Sequence, residues 1–166
     1  MRLRDVVLSA KSEIDYGQSW KPGPMPKNLF PLTKSGNRTL RFGSGYQWRL
    51  VTFTALSTSF RLLIAVSATK EQYYAHLGMV IAGDTRMLGS LEFHGSHPGW
   101  HLHAGCDDVL LIPPGRYEGP WRKMLPTSHS KCRRKQFNVT DANRLTIAID
   151  FFRVKGSDPS GQTTWI

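Results

Sequence analysis

The segments MLGSLEFH (87–94) and WHLHAGC (100–106) alternate apolar and polar residues, and this period of two is the strongest constraint on the fold. It belongs to strands that lay one face on a core. In the first segment Met87, Gly89, Leu91 and Phe93 share one face, and Ser90, Glu92 and His94 the other. In the second, Trp100, Leu102, Ala104 and Cys106 oppose His101, His103 and Gly105. Residues 95–99, with Ser96-His97-Pro98-Gly99, are loop chemistry, so the two segments predict an antiparallel hairpin. Matching the apolar faces sets Phe93 opposite Leu102 and Leu91 opposite Ala104. The pleat then sets His94 opposite His101 and Glu92 opposite His103. A slip of two residues exchanges partners but keeps the faces.

RLVTFTAL (49–56) and FRLLIAVSA (60–68) are rich in β-branched and aromatic residues and predict two strands around Ser57-Thr58-Ser59. TKEQYYAHLGMV (69–80) opens on a cap-like Thr69 and places Tyr73, His76, Leu77 and Val80 at helical spacing, so a short helix is expected there, ended by a turn at Gly83-Asp84. DVLLIPPGRYEGPW reads as a brief strand and a stiff turn at Pro113-Pro114-Gly115. Near the end, Thr140 or Asn138 as N-cap and Gly156 as stop favour a helix over 140–154, although alternating Leu145, Ile147, Ile149 and Phe151 also permit a strand. Pro22, Pro24, Pro26 and Pro31 forbid a continuous helix or central strand in residues 16–47. Trp20, Phe30 and Phe42 are the candidate anchors of that stretch. The expected architecture is α+β: a mostly antiparallel sheet with one or two helices. A basic Pro/Gly-rich arm (1–48) packs on a single domain (49–156), and a loose tail (157–166) follows.

The net charge is +10, and it is unevenly spread. Residues 1–49 hold nine Lys/Arg against three acids, and residues 116–135 hold seven against one. Two basic segments around a balanced centre suit a polyanion, most often nucleic acid, with Arg116, Arg122, Lys123, Arg133 and Arg134 as phosphate contacts. Charge does not distinguish DNA from RNA. Apolar runs such as Phe60 to Val66 are too short to span a bilayer. Asp5, Lys11 and Glu13 interrupt the N-terminal apolar piece before an export signal forms. Two cysteines make no disulfide framework, and the expected location is cytoplasmic.

Four of the six histidines fall in HGSHPGWHLHAGC (94–106). The polar face of the hairpin gathers Glu92, His94, His101 and His103. Imidazoles and a carboxylate at strand spacing suit a divalent ion such as Mn²⁺, Mg²⁺ or Zn²⁺. The same face suits metal-free acid–base chemistry with His103, phosphate binding without chemistry, or a solvated sheet surface. Tyr117, held by a stiff turn beside Arg116, is a candidate nucleophile, a stacking ring or a packing residue. Cys106 points to the apolar face, and Cys132 lies in a basic segment whose spacing matches no strong zinc pattern. Asp107-Asp108 read as turn formers, His97 as a loop residue, and His76 as a helix residue near the core edge.

LEFHGSHPGWHLHAGC resembles the second motif of the HUH endonucleases, which include replication initiators, relaxases and related transposases. In that family a strand carries His-apolar-His, often after Trp, beside a strand with an acidic ligand. The resemblance implies that His101 and His103, with Glu92, bind a divalent metal that polarises a scissile DNA phosphate, and that a tyrosine forms a covalent adduct. The family places that tyrosine on a downstream helix. Residues 140–154 contain none, and Tyr117 is the one tyrosine after the motif. A hydrolase that uses water fits the residues present. The leading expectation is therefore a nucleic-acid-processing enzyme, a metal-assisted phosphodiesterase or endonuclease. Its rivals are a non-catalytic nucleic-acid-binding or interaction protein and a metal-independent ribonuclease of the toxin kind.

Overall fold

A computed structural model describes residues 1–30, 40, 42–95, 97–105, 108–111, 121–124 and 136–156. The architecture is α+β and dominated by one antiparallel sheet. Its strands are β1 (Ser12–Asp15), β2 (Lys21–Pro22), β3 (Gln47–Ala55), β4 (Thr58–Ser67), β5 (Gln72–Ile81), β6 (Asp84–His94), β7 (His97–Ala104) and β8 (Trp121–Met124). From β3 to β8 the order in space is the order in sequence, while β1 and β2 both pair with β3. Two short helices, α1 (Leu3–Leu8) and α2 (Thr146–Phe152), complete the described elements with two 3₁₀ turns.

Tight turns explain the meander. Leu56 and Ser57 both have positive φ, as do Ala82 and Gly83, so β3–β4 and β5–β6 are joined by turns of the left-handed kind that match strand twist. The first of these turns lies one to two residues before the expected Ser57-Thr58-Ser59; Thr58 and Ser59 belong to β4.

Both faces of the sheet are covered. On one face Val51, Phe53, Leu62, Ile64, Tyr73, Leu77, Leu91, Phe93 and Trp100 pack with Val6 of α1 and with Ala148, Ile149 and Phe152 of α2. The Tyr73 hydroxyl donates to the Arg144 carbonyl at 3.0 Å and ties the turn before α2 to the sheet. On the opposite face Phe30, Leu40, Phe42, Tyr46, Trp48, Leu63, Ala65 and Met87 form a second cluster. Phe30 and Phe42 are thus buried, and Trp20 packs partly buried against the first cluster.

This double coverage overturns the helix expected at 69–80. Those residues form the turn after β4 and then β5. Tyr73, Ala75, Leu77 and Met79 face the helix-covered core, while Tyr74 belongs to the opposite cluster. A strand buried on both sides carries apolar residues at both parities, and the period of two is lost. Thr69 caps no helix; it sits in the turn, its hydroxyl 3.3 Å from that of Ser67.

Met87 is the second correction. It was expected to share a face with Leu91, but it lies in the opposite cluster. The β5–β6 register passes from Leu77↔Gly89 to Gly78↔Met87, so Leu88 is an extra residue that reverses the parity.

The C-terminal helix exists but is shorter than 140–154. Residues 141–145 form turns in which Asn143 and Arg144 N–H donate to the Thr140 carbonyl, and the helix begins after Leu145. It stops at Arg153, which takes the left-handed conformation (φ 52°), while Val154 N–H donates to Ile149 C=O. The stop is a Schellman-type end built on arginine, ahead of the expected Gly156. Among the described residues no helix is long and apolar enough to cross a membrane.

Candidate metal centre

Ladder pairing builds the site. Strands β5, β6 and β7 align two adjacent rows across the sheet. One row runs His76, Ser90, His103; the other runs Tyr74, Glu92, His101. Strand β8 extends them, with Arg122 opposite His103 and Met124 opposite His101. Directly opposed residues share a face, so one carboxylate is surrounded by imidazoles.

The hairpin register differs from the expected one by two residues. Glu92 pairs with His101, Leu91 with Leu102, and Ser90 with His103. The faces are kept, so the expected residues still meet. The loop is also tighter than 95–99: His94 pairs with His97, the first residue of β7 and not a loop residue. Residues 98–100 of β7 therefore stand against Phe93 alone, and this bulge holds Gly99 at φ +92°, a conformation that favours glycine. The bulge has a chemical consequence. The Gly99 carbonyl accepts a hydrogen bond from His101 Nδ1 at 2.8 Å.

The three expected histidine ligands converge on Oε2 of the fourth, Glu92. His94 Nε2 lies 3.1 Å from it, His101 Nε2 3.8 Å and His103 Nε2 3.9 Å. Ligand atoms of Glu92, His94 and His101 all fall within 4.8 Å of one another, so this buried group can hold a metal ion. Two donors bound to one tetrahedral ion at about 2.0–2.2 Å lie about 3.3 Å apart. The 3.1 Å pair is close to this spacing, and the pairs at 3.8 and 3.9 Å are somewhat wider. Solvent reaches the group at His103 and His94, whose side chains are 12% and 10% exposed, while His101 is fully buried.

The protonation states of Glu92 and His101 suit a cation. His101 donates from Nδ1 to a backbone carbonyl, which leaves the Nε2 lone pair toward Glu92; metal-binding histidines are commonly held this way. Burial lowers the His101 pKa and outweighs the Gly99 carbonyl, so the ring is held neutral. Burial works against the Glu92 carboxylate, but His76, the Ser90 hydroxyl, His103 and His101 outweigh it and hold the pKa below the usual value. An anionic carboxylate and a neutral imidazole, the forms favoured here for Glu92 and His101, are the forms that ligate metal.

Two participants were missed in the sequence. His76 was assigned to a helix, yet it lies on β5, 1% exposed, with Nδ1 2.6 Å from Ser90 Oγ. Ser90 Oγ in turn donates to Glu92 Oε1 at 2.6 Å. Tyr74 stacks on both His76 and His94, at 5.8 Å between ring centres in each case. The signal was the shared parity of Tyr74 and His76, hidden by the helical reading.

Of the remaining candidates, Asp108 does not join the cluster, Arg122 and Lys123 are placed by strand register, and the others lie outside the described residues. Asp108 uses one oxygen on the N-terminal amine at 2.8 Å and the other on Leu110 N–H at 2.9 Å, a turn-forming role. Arg122 and Lys123 lie on β8, opposite His103 and Leu102. Arg116, Tyr117, Arg133, Arg134, Cys106, Asp107, Cys132 and the tail 157–166 fall outside the described residues. No protein-family model, curated protein or solved structure matches this chain, so the likeness to the HUH endonucleases rests on the quoted residues alone.

Proposed function

We propose that this protein is a metal-dependent phosphodiesterase acting on nucleic acid. The observation that carries the reading is the convergence of His94, His101 and His103 Nε2 on one oxygen of the buried Glu92. These four residues hold the ion, with Mn²⁺, Mg²⁺ and Zn²⁺ as the ions to test. A bound divalent ion supplies Lewis-acid polarisation of a phosphate and a more acidic water. His103 and His94 border the solvent side, where a phosphate approaches. Arg122, which pairs with His103 in the ladder, is the basic residue we assign to the neighbouring phosphate. The net charge of +10 supports a polyanionic substrate.

A second reading has its own supporting observation. Glu92 and His101 are 4% and 0% exposed, and so deep a group also suits a structural ion in a non-catalytic binder.

The test is the metal content of purified, untagged protein beside the His101→Ala/His103→Ala variant, followed by cleavage assays on single-stranded DNA, duplex DNA and RNA. Near-stoichiometric metal and ion-dependent cleavage, both lost in the variant, support the phosphodiesterase. Metal without cleavage, with salt-sensitive nucleic-acid binding, supports the binder. RNA cleavage that persists in EDTA overturns both in favour of a metal-free ribonuclease.

A further inference from the structure

The carboxylate of Glu92 is held unequally at its two oxygens. Oε2 faces the three imidazole nitrogens, while Oε1 accepts a hydrogen bond of 2.6 Å from Ser90. A serine hydroxyl has one proton, and an ionised carboxylate only accepts. Ser90 Oγ therefore gives its proton to Oε1 and uses a lone pair toward His76 Nδ1 at 2.6 Å, so His76 Nδ1 is the donor of that bond. Ser90 and His76 are each 1% exposed, and they pair directly across β5 and β6. The His76 ring is fixed by stacking on Tyr74 at 5.8 Å and on Phe42 at 6.4 Å. His76 thus orients Ser90, and Ser90 orients Glu92.

We infer that Ser90 and His76 are positioning residues that tie back Oε1 of Glu92 and restrict the carboxylate to one-oxygen ligation. This rests on the metal reading above. A carboxylate free at both oxygens can chelate an ion through both and fill one more coordination position. Tethering Oε1 keeps that position available to water or a phosphate oxygen, which is the feature that separates a catalytic ion from a closed structural one. Partners at this remove from an ion commonly change its affinity by about 10- to 100-fold when lost.

The experiment is a Co²⁺ titration of the metal-free protein, read by visible absorption and by competition with a chelator. Wild type, Ser90→Ala, Ser90→Thr and His76→Asn are compared, and circular dichroism confirms that each is folded. Asparagine keeps an N–H donor near the place of His76 Nδ1, and threonine keeps the hydroxyl. Wild type is expected to bind one Co²⁺ with the strong absorption of a low-coordinate N/O site. Ser90→Ala is expected to bind about 10- to 100-fold more weakly, with the fainter spectrum of a higher-coordinate ion. Ser90→Thr or His76→Asn is expected to recover the wild-type spectrum. A folded Ser90→Ala protein with wild-type affinity and spectrum overturns the inference and leaves the metal centre standing. A wild type that binds no Co²⁺ overturns the metal centre itself, and the tether with it.

Discussion

Glu92→Gln separates the charge of the candidate ligand from its volume. The side chain is 4% exposed and meets three imidazoles at 3.1–3.9 Å, so an isosteric amide leaves packing intact and removes the anion. An ion that binds only the folded state at 100 times its dissociation constant stabilises the protein by about 2.7 kcal/mol. For a chain of this size each kcal/mol is worth about 2–4 °C, so the wild-type melting temperature rises by about 5–10 °C. Removing a ligand costs at least about 100-fold in affinity, the upper end of what outer partners alone cost. At the same ion concentration Glu92→Gln then retains about 0.4 kcal/mol, or about 1–2 °C. Scanning calorimetry of both proteins, with chelator and with Mn²⁺, Zn²⁺ or Mg²⁺, measures the difference directly. Equal shifts in the two proteins, or no shift with any of the ions in wild type, refute the reasoning.

Acid is expected to destabilise the ion-free protein in two stages. His101 is held neutral by burial, below its ordinary value of 6.5, so the unfolded chain takes up more protons and stability falls as pH drops below about 6.5. Glu92, held below its ordinary 4.5, contributes stability above that value and loses it as pH falls further. Urea unfolding from pH 8 to pH 4 tests this, and a flat profile above pH 5 sinks the His101 assignment; His101→Asn should abolish the first stage. Ser57→Gly should stabilise by about 1 kcal/mol, because Ser57 sits at φ 58° where glycine carries no steric cost; an unchanged denaturation midpoint argues against that turn. Gly78→Ala should cost about 1–3 kcal/mol, since a Cβ there collides with Thr85 Cγ2 and meets Phe30 Cζ at 3.0 Å; a neutral result would mean that Thr85 and Phe30 do not pack over Gly78. Arg122→Ala should weaken nucleic-acid binding and flatten its salt dependence by about one unit of slope; an unchanged slope removes Arg122 from the interface.

The hairpin was legible because one face of residues 87–104 is polar, and a period of two is unambiguous when polarity marks it. The site survived a wrong register for the same reason: a slip of two exchanges His101 for His103 opposite Glu92 without turning either away. Strand β5 was not legible, since Tyr73 and Tyr74 are both held against packed layers and neither parity reads as solvent. That error concealed His76. Bulges were invisible as well. Nothing in Met87-Leu88-Gly89 announces that Leu88 is the extra residue, and the placement of Met87 failed there. Gly99 was read as loop chemistry, whereas its positive φ serves to turn a carbonyl onto His101. The C-terminal helix was found from its apolar content, but both of its ends were misplaced, because Thr140 starts a turn and Arg153 takes the conformation expected of Gly156.

The sequential order of β3 to β8 also bears on how the chain reaches this state. Each of the ladders from β3 to β7 is closed by a short local connection, so little loop entropy is lost at each step. The whole donor set, from Glu92 to His103, belongs to one such hairpin, and the tethering residues need only the preceding strand. The centre can therefore assemble from local pairing, before the N-terminal strands and the C-terminal helix dock. An ion captured at that stage would stabilise the folding transition state as well as the native state. Its kinetic signature is faster refolding and not only slower unfolding.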